Sequence, residues 1–357
     1  MFKTYIDGAI YAVLGNHDSS PEAQDAPHSL PGPLGQQLGW NYDHISSLWQ
    51  LEGWLKNSTT EEAKAHYAAY SVKTEIGLRI ITLNTDFWYK QNYWNFINTT
   101  NPDVSGGIYF LINELQAAED ANERVWILGH VLSGWDGSNP LPNPSDLFYQ
   151  IVERYSPHVI ANVFFGHTHE DQFTVFYSQN GTVQTSDSAL STAWIAPSIV
   201  PLTNLNSGYR MYEIDTGSFD IYEAYTFYAD VSEFSELTTT GPTFEFEYST
   251  REAYKSAGWP ADAPLNATFW HGVTEAMEKD HGLVTLQNKL QGKSSVRSPN
   301  CTSNACAEAK ICYMRSGSVA LGRQCSQGYA FVIEAVGMRW LTFIRFASVQ
   351  SPFSGVS

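Results

Sequence analysis

The sequence predicts an α/β protein in which strands that end in polar residues alternate with helical or loop segments. Four apolar runs carry this pattern, at residues 11–14, 79–86, 124–130 and 159–169. Each run has the length of a strand and leads into residues that suit a turn. Between the second and third runs, residues 107–123 space their apolar side chains as an amphipathic helix does. In such alternating folds, functional sites form where the strands end.

The pattern changes from residue 171 onward, where short runs alternate apolar and polar residues. Such runs are typical of hairpins, so they predict a β-rich half of the same domain. Residues 231–326 are predicted to be helical or irregular and contain all the cysteines. The apolar tail at 327–357 lacks clean periodicity and is interpreted either as a docked helix or as non-native sequence. The predicted organisation is therefore a domain over 1–230, a helical extension and a tail.

Charge and hydropathy exclude two broad classes of protein. The chain has 37 acidic and 20 basic residues, a formal net charge of −17, whereas a nucleic-acid polymer requires basic faces. A small phosphate substrate is not excluded, because a bound metal can dominate the local field. The best candidate for a membrane span is interrupted by Glu334, Arg339 and Arg345, so no transmembrane helix is predicted. We expect a monomer that acts on a small molecule.

Glycosylation sequons and cysteines favour a secreted, extracellular or vacuolar protein, although no signal peptide is recognisable. An even number of cysteines in one short polar segment fits disulfides. A zinc knuckle is the alternative, but neither a Cys-x-x-Cys pair nor a local histidine supports it. The sequons are at Asn57, Asn98, Asn180, Asn266 and Asn300, and the cysteines are Cys301, Cys306, Cys312 and Cys325.

Histidines at the ends of two predicted strands indicate a metal site. His130 follows a strand and a glycine, and a second strand and glycine precede His167 and His169. A glycine lets the backbone turn sharply beside an ion, and neutral imidazole suits zinc, iron or manganese. Asn16, after the first run, offers a neutral oxygen ligand. A lone histidine is usually structural, but three at comparable strand ends favour a metal.

These motifs resemble the calcineurin-like metallophosphoesterases. The ordered set is GNHD at 15–18, GH at 129–130 and GHTH at 166–169. The stretches FFGHTHEDQFTVFY and LNTDFWY and the four-cysteine segment resemble the acid sphingomyelinase branch, especially its fungal members. The resemblance covers roughly residues 3 to 325. It implies a β-sandwich flanked by helices over 1–230, followed by a helical, disulfide-bearing extension.

The resemblance also implies an activity and a set of roles. Members of the family hydrolyse phosphodiesters with two metals, usually zinc, that hold the phosphate and activate water. The substrate would be a sphingomyelin-like phospholipid or a soluble phosphodiester. Transferred to this chain, the ligands of one ion are Asn16, His130 and His167, a ligand of the other is His169, the proton donor is His17, and the acid that orients the donor is Asp18.

The sequence departs from the family before the first shared motif. The family carries an Asp-x-His and a Gly-Asp motif upstream, whereas the only acid before Asn16 is Asp7, which is interpreted as a turn residue. We therefore expect a truncated product or gene model with impaired activity, which would also explain the missing signal peptide. The alternatives are an inactive fragment and a secreted glycoprotein with one structural metal. The disulfides that the resemblance implies are Cys301–Cys306 and Cys312–Cys325.

Overall fold

The computed structural model describes residues 8–30, 32–202 and 205–330 of the chain. In these ranges the chain forms a six-stranded sheet and a three-stranded sheet, with helices packed around them. The predicted α/β class with a disulfide-bearing C-terminal extension is confirmed. Asp7 and nearly all of the predicted tail at 327–357 lie outside the described residues.

The elements are numbered in chain order. The strands are β1 (Ser71–Lys73), β2 (Arg79–Thr82), β3 (Val125–Leu128), β4 (Ile160–Phe165), β5 (Gln172–Tyr177), β6 (Ala189–Ile195), β7 (Ser207–Ile214), β8 (Ile221–Ala229) and β9 (Glu245–Ser249). The α-helices are α1 (Pro33–Leu51), α2 (Asn57–Ala65), α3 (Gly107–Asp120), α4 (Pro142–Tyr155), α5 (Thr250–Ala253), α6 (Ala267–Lys279), α7 (His281–Gln291), α8 (Asn304–Met314) and α9 (Val319–Gly322). Short 3₁₀ helices lie at Thr85–Trp88, Tyr93–Phe96, Gln179–Gly181, Ser186–Ser188, Val231–Glu236 and Lys255–Ala257.

The large sheet places the predicted strand ends side by side. Its order is β1-β2-β3-β4-β6-β5, with β2, β3, β4 and β6 parallel and the two edge strands antiparallel to their neighbours. Parallel strands run in one direction, so the carboxyl ends of β3 and β4 meet at one edge of the sheet. The predicted hairpins are also present, as the β5/β6 pair and the β7-β8-β9 sheet.

Two expectations about local structure are wrong. Residues 11–14 are not a strand but an extended segment, in which Leu14 packs beside Trp49 and Tyr70. The Tyr70 hydroxyl donates a hydrogen bond to the Ala12 carbonyl at 2.9 Å, so side chains rather than a strand ladder hold this segment. In addition, the region predicted to be helical or irregular after residue 230 contributes β9 to the small sheet.

Aromatic side chains pack against both faces of the large sheet. On one face, Phe164 of β4 meets Tyr212 of the small sheet, with ring centroids 5.4 Å apart. On the other face, the next residue, Phe165, meets Phe148 of α4 at 5.8 Å. Successive residues of a strand point to opposite faces, so covering both faces requires the continuous apolar runs seen in the sequence. Each such side chain contributes about 1.5–3 kcal/mol when it is fully buried.

The C-terminal extension packs directly on the large sheet. Trp270 of α6 stacks on Phe173 of β5, with ring centroids 3.9 Å apart. The two disulfides have the pairing that the family resemblance implies, Cys301–Cys306 and Cys312–Cys325, so no cysteine is available for a zinc knuckle. The domain boundary near residue 230 stays a prediction.

The surface is compatible with the predicted glycosylation. All five sequon asparagines are exposed, namely Asn57, Asn98, Asn180, Asn266 and Asn300. None of the helices in the described ranges has the length and apolar character needed to cross a membrane. Most of the apolar run that carries Glu334, Arg339 and Arg345 lies outside those ranges.

A buried ion pair joins the small sheet to the segment that follows β4. The side chains of Arg210 on β7 and Asp171 are only 3% and 4% exposed, and the guanidinium contacts both carboxylate oxygens. Thr226 and Tyr248 also donate to Asp171, at 3.0 and 2.8 Å. Burial alone would lower the pKa of Arg210, but the Asp171 carboxylate raises it above its ordinary value. The charge is therefore retained inside the protein and depends on its partner.

We expect Asp171→Ala to destabilise the fold strongly, because it leaves Arg210 buried without a counter-charge. Breaking one side of a buried pair costs about 3–5 kcal/mol. The matched control is Glu119→Ala, which removes a more exposed pair with Arg154 and should change the stability far less. Denaturant unfolding of the two variants measures both values. A loss below about 1 kcal/mol for Asp171→Ala would show that the pair does not hold the sheets together.

Candidate active site

Asn16 lies in a tight loop that directs its side chain inward. The Asp18 amide donates to the Gly15 carbonyl at 3.0 Å, and the Gly15 amide donates to the Asp18 carboxylate at 2.8 Å. The Ala23 amide closes the loop by donating to the Asn16 carbonyl at 2.8 Å. As a result Asn16 is buried, whereas the side chain of the next residue, His17, is 61% exposed.

His130 is positioned by the end of β3 and by a threonine on a neighbouring loop. The amides of His130 and Val131 both donate to the Thr85 hydroxyl, at 3.0 and 2.6 Å. A side chain at Gly129 would lie 2.8 Å from Thr85 and Phe165, so glycine is required for this close approach. The pattern of a strand, a glycine and a histidine thus has the steric cause that the sequence indicated.

The loop after β4 carries the other two predicted histidines in a strained backbone. His167 and His169 have φ values of 73° and 64°, in the left-handed region that side chains other than glycine rarely adopt. Each such residue costs about 1–3 kcal/mol and persists only where its surroundings fix it. The Gly166 amide donates to the His130 carbonyl at 3.0 Å, which ties the two histidine loops together.

Three predicted ligands converge on one point. His130 Nε2 lies 2.8 Å from Asn16 Oδ1, and His167 Nδ1 lies 3.2 Å from the same oxygen. Asn16 Nδ2 donates to Glu22 at 3.4 Å, which turns Oδ1 toward the histidines. His167 Nε2 lies 3.1 Å from Asn139 Oδ1, and assigning the ring proton to Nε2 satisfies that contact. His167 Nδ1 and Asn16 Oδ1 are then two acceptors facing each other.

This arrangement fits a cation. Two acceptor atoms at 3.2 Å without a hydrogen between them repel each other, and a positive ion held by both removes the repulsion. Imidazole nitrogen and amide oxygen are both ordinary ligands of zinc and its neighbours. Across the described ranges, no three His, Cys, Asp or Glu side chains form a metal-holding group. The cluster has only two histidines, and its third member is the amide of Asn16.

The histidines of the cluster are neutral. Burial, with smaller contributions from His169 and His17, lowers the pKa of His130 to about 4. Burial likewise lowers the pKa of His167 to about 3, with His130 and His169 as the next causes. A metal ligand must be unprotonated, so both rings are ready to bind above about pH 5.

His169 lies beside the cluster, and one of its ring nitrogens is available to bind a ligand. Its Nδ1 is buried and has no hydrogen-bond partner. Burial lowers the pKa of His169, and the charges of Lys293 and His17 act in the same direction. A buried, unpaired ring nitrogen needs a ligand, so the residue suits an ion or a bound water.

His17 and Asp18 do not make the contact that was expected. The Asp18 carboxylate accepts from the Gly15 amide instead, and the acid nearest to His17 is Glu22, 3.5 Å from Nε2. The orienting role of Asp18 therefore stays a prediction. Sequence reasoning missed Glu22 and Asn139, since neither lies in a recognisable motif, although Glu22 is only six residues from Asn16.

The predicted ligands come from separate loops and meet at the carboxyl edge of a mixed sheet, an arrangement that suits a metal centre. Comparison with curated proteins makes this specific. The chain is 35% identical over 321 residues to sphingomyelin phosphodiesterase of Bos taurus and 32% identical over 321 residues to that of Homo sapiens. It is 28% identical over 335 residues to the human acid sphingomyelinase-like phosphodiesterase 3b. The chain is thus similar over most of its length to proteins named sphingomyelin phosphodiesterases, which confirms the resemblance.

The matches differ in how much of each protein they cover. All three span 88% of this chain, but they span only 48%, 47% and 66% of the respective relatives. The chain thus covers about half the length of the two sphingomyelin phosphodiesterases. No protein-family model matches it. A solved structure titled "Structure of PhoD" has a TM-score of 0.43 and 10% identity over 63% of this chain and 50% of that one, a likeness too distant to define the fold.

We expect Gly15→Ala to disturb the cluster without touching a ligand. An added Cβ would lie 3.0 Å from the His130 ring, so the ring must shift from the position in which it meets Asn16. Zinc affinity should fall about tenfold or more, as for other changes beside metal ligands. A competition titration with a chromophoric chelator measures the effect. Gly8→Ala is the control, because nothing lies within 4 Å of the added carbon. Equal zinc affinity in the two variants would contradict the geometry.

Proposed function

We propose that this chain is a metal-dependent phosphodiesterase of the acid sphingomyelinase type. The observation that carries the proposal is the convergence of Asn16, His130 and His167, with His169 beside them. Homology to sphingomyelin phosphodiesterases supports the same reaction class. The substrate class is a phosphodiester, either a sphingomyelin-like phospholipid or a soluble ester.

The metal-binding roles are distributed between the histidine loops. Asn16, His130 and His167 hold one ion, and His169 contributes to a second, with zinc as the metal that the family uses. When bound, such ions neutralise the phosphate oxygens and lower the pKa of a coordinated water. The described residues supply a three-ligand set for the first ion only. For the second ion His169 is the one proposed ligand, so we expect weak binding of that ion and slow turnover.

His17 is proposed as the proton donor to the leaving oxygen. It is adjacent to Asn16 in the chain, yet its imidazole faces solvent, where a substrate can reach it. The carboxylate of Glu22 lies 3.5 Å from Nε2 of the ring and can hold it in position. An imidazolium held at this position can protonate an alkoxide as it departs. Neither Asn16 nor the buried histidines can do so, because the former has no titratable proton and the latter are neutral.

The location of the protein is proposed to be extracellular or vacuolar. Two disulfides in the C-terminal extension are typical of an oxidising compartment, and five exposed sequons are available to glycosylation enzymes. The second candidate function is a secreted glycoprotein with one structural metal. It is favoured by the single three-ligand set among the described residues.

The two functions are distinguished by whether hydrolysis of a phosphodiester requires the cluster of Asn16, His130 and His167. The zinc-loaded chain should hydrolyse bis-p-nitrophenyl phosphate slowly, and His130→Ala and His167→Ala should reduce the rate to that of buffer with zinc. His158→Ala is the control, because His158 pairs with Glu119 on the surface. Release of nitrophenolate, followed by its visible absorption, is the readout. If the variants and the parent chain release nitrophenolate at the same rate, the structural-metal function is the better account.

The role of His17 is tested with two leaving groups. His17→Ala should slow the hydrolysis of a diester with an alkyl leaving group by roughly 10²–10⁴-fold, since an alkoxide needs a proton to depart. The same substitution should change nitrophenyl ester hydrolysis far less, because nitrophenolate leaves without a proton. Equal losses on both substrates would make His17 a residue that positions Asn16 rather than a proton donor.

A further inference from the structure

We propose that the disulfide-bonded C-terminal extension holds both histidine loops in place, with Lys310 and Lys293 as its positioning residues. The inference rests on the proposed function, since it assigns a purpose to the loops that carry His130, His167 and His169. The two lysines are buried completely or nearly so, at 1% and 0% exposure. Buried lysines are rare and need partners. Lys293 donates directly to the loop of His167 and His169, and Lys310 reaches that loop through Gln291.

A continuous chain of buried polar contacts leads from Lys310 to the segment after His169. Lys310 Nζ donates to Gln291 Oε1 at 2.8 Å, and Gln291 Nε2 donates to Glu170 Oε2 at 2.5 Å. Gln172 Nε2 donates to the same Glu170 oxygen at 2.5 Å. The side-chain Oε1 of Gln172 in turn accepts from the Thr168 hydroxyl at 2.8 Å. The network therefore begins on α8 and ends between the two histidines.

A second set of contacts reaches the main chain of the same loop. Lys293 Nζ donates to the His169 carbonyl at 2.5 Å. The Asp171 amide donates to the Gln291 carbonyl at 3.0 Å, at the C-terminus of α7. His167 and His169 are both in the left-handed region, so their backbone needs restraints of this kind to keep its conformation.

The loop after His130 is held by the same extension. The Trp135 amide donates to the Ser316 carbonyl at 2.8 Å, and the Ser133 hydroxyl donates to the Gly317 carbonyl at 2.9 Å. Lys310 Nζ also lies 5.6 Å from the centre of the Trp135 ring, over its face. Burial lowers the pKa of Lys310 to about 8, while Glu170 and Asp136 oppose the shift. Those acids belong to the two different loops, so the ammonium interacts electrostatically with both.

The disulfides fix the helix that carries Lys310. One bond ends at Cys306, four residues before the lysine, and the other begins at Cys312, two residues after it. Helix α8 is thus cross-linked on both sides of the positioning residue. The extension is therefore part of the metal-binding architecture and not an appendage to it.

The test compares Lys310→Met and Lys293→Met with the control Lys289→Met in the full chain. Methionine keeps the length and apolar packing of the stem but removes the donor. Lys289 is exposed on α7, beside the same network, so its loss changes only surface charge. Cobalt(II) is the probe, and its affinity is measured by visible absorption. We expect about 10–100-fold weaker binding in the first two variants and no change in Lys289→Met.

A second readout does not depend on metal. In the metal-free protein, hydrogen exchange of the amides at 166–172 should be faster in Lys310→Met and Lys293→Met, while the melting temperature remains close to that of the parent. Parent-like cobalt affinity and parent-like exchange in both variants would overturn the inference. If the parent chain binds no cobalt, the proposed function fails. The exchange rates then decide the positioning role by themselves, and unchanged rates reject it.

Discussion

The structure depends on one electrostatic constraint, the meeting of Asn16 Oδ1, His130 Nε2 and His167 Nδ1 at 2.8 and 3.2 Å. Three separate parts of the chain must place these atoms within hydrogen-bonding distance of one another. With the ring proton of His167 on Nε2, Asn16 Oδ1 and His167 Nδ1 repel each other unless a cation is bound. The parallel strands satisfy the geometric part by bringing β3 and β4 to one edge of the sheet. Burial lowers the pKa of both imidazoles and keeps them neutral, as a metal ligand must be.

The sequence predicted those elements that have a local cause. A strand that ends in glycine and histidine indicates a position with no room for a side chain. The structure has this at Gly129, where a Cβ would collide with Thr85 and Phe165. Residues 11–14 were predicted wrongly because a strand needs a partner, and an apolar run does not specify one. The contacts of Lys310 and Asn139 could not be predicted either, since their partners are remote in sequence and follow only from the packed fold.

The C-terminal extension shows how stability and site geometry share the same contacts. Its helices cover β5 with aromatic rings, and its buried lysines reach the histidine loops through Gln291 and the His169 carbonyl. The adjacent Asp171 pairs with Arg210 and connects the same segment to the small sheet. Contacts from the C-terminal extension and from the small sheet therefore both restrain the strained backbone of His167 and His169. A loop held in this way can keep metal ligands in place that its local sequence would not maintain.

X-ray absorption of the zinc-loaded chain tests the central claim most directly, because it reports the ligands themselves. With one equivalent of zinc, the account predicts an average of two imidazole ligands at about 2.0 Å, with oxygen completing the shell. His130→Ala and His167→Ala should each remove one imidazole from that spectrum. A zinc shell of oxygen alone, or a spectrum unchanged by both substitutions, would show that the metal does not bind at Asn16, His130 and His167.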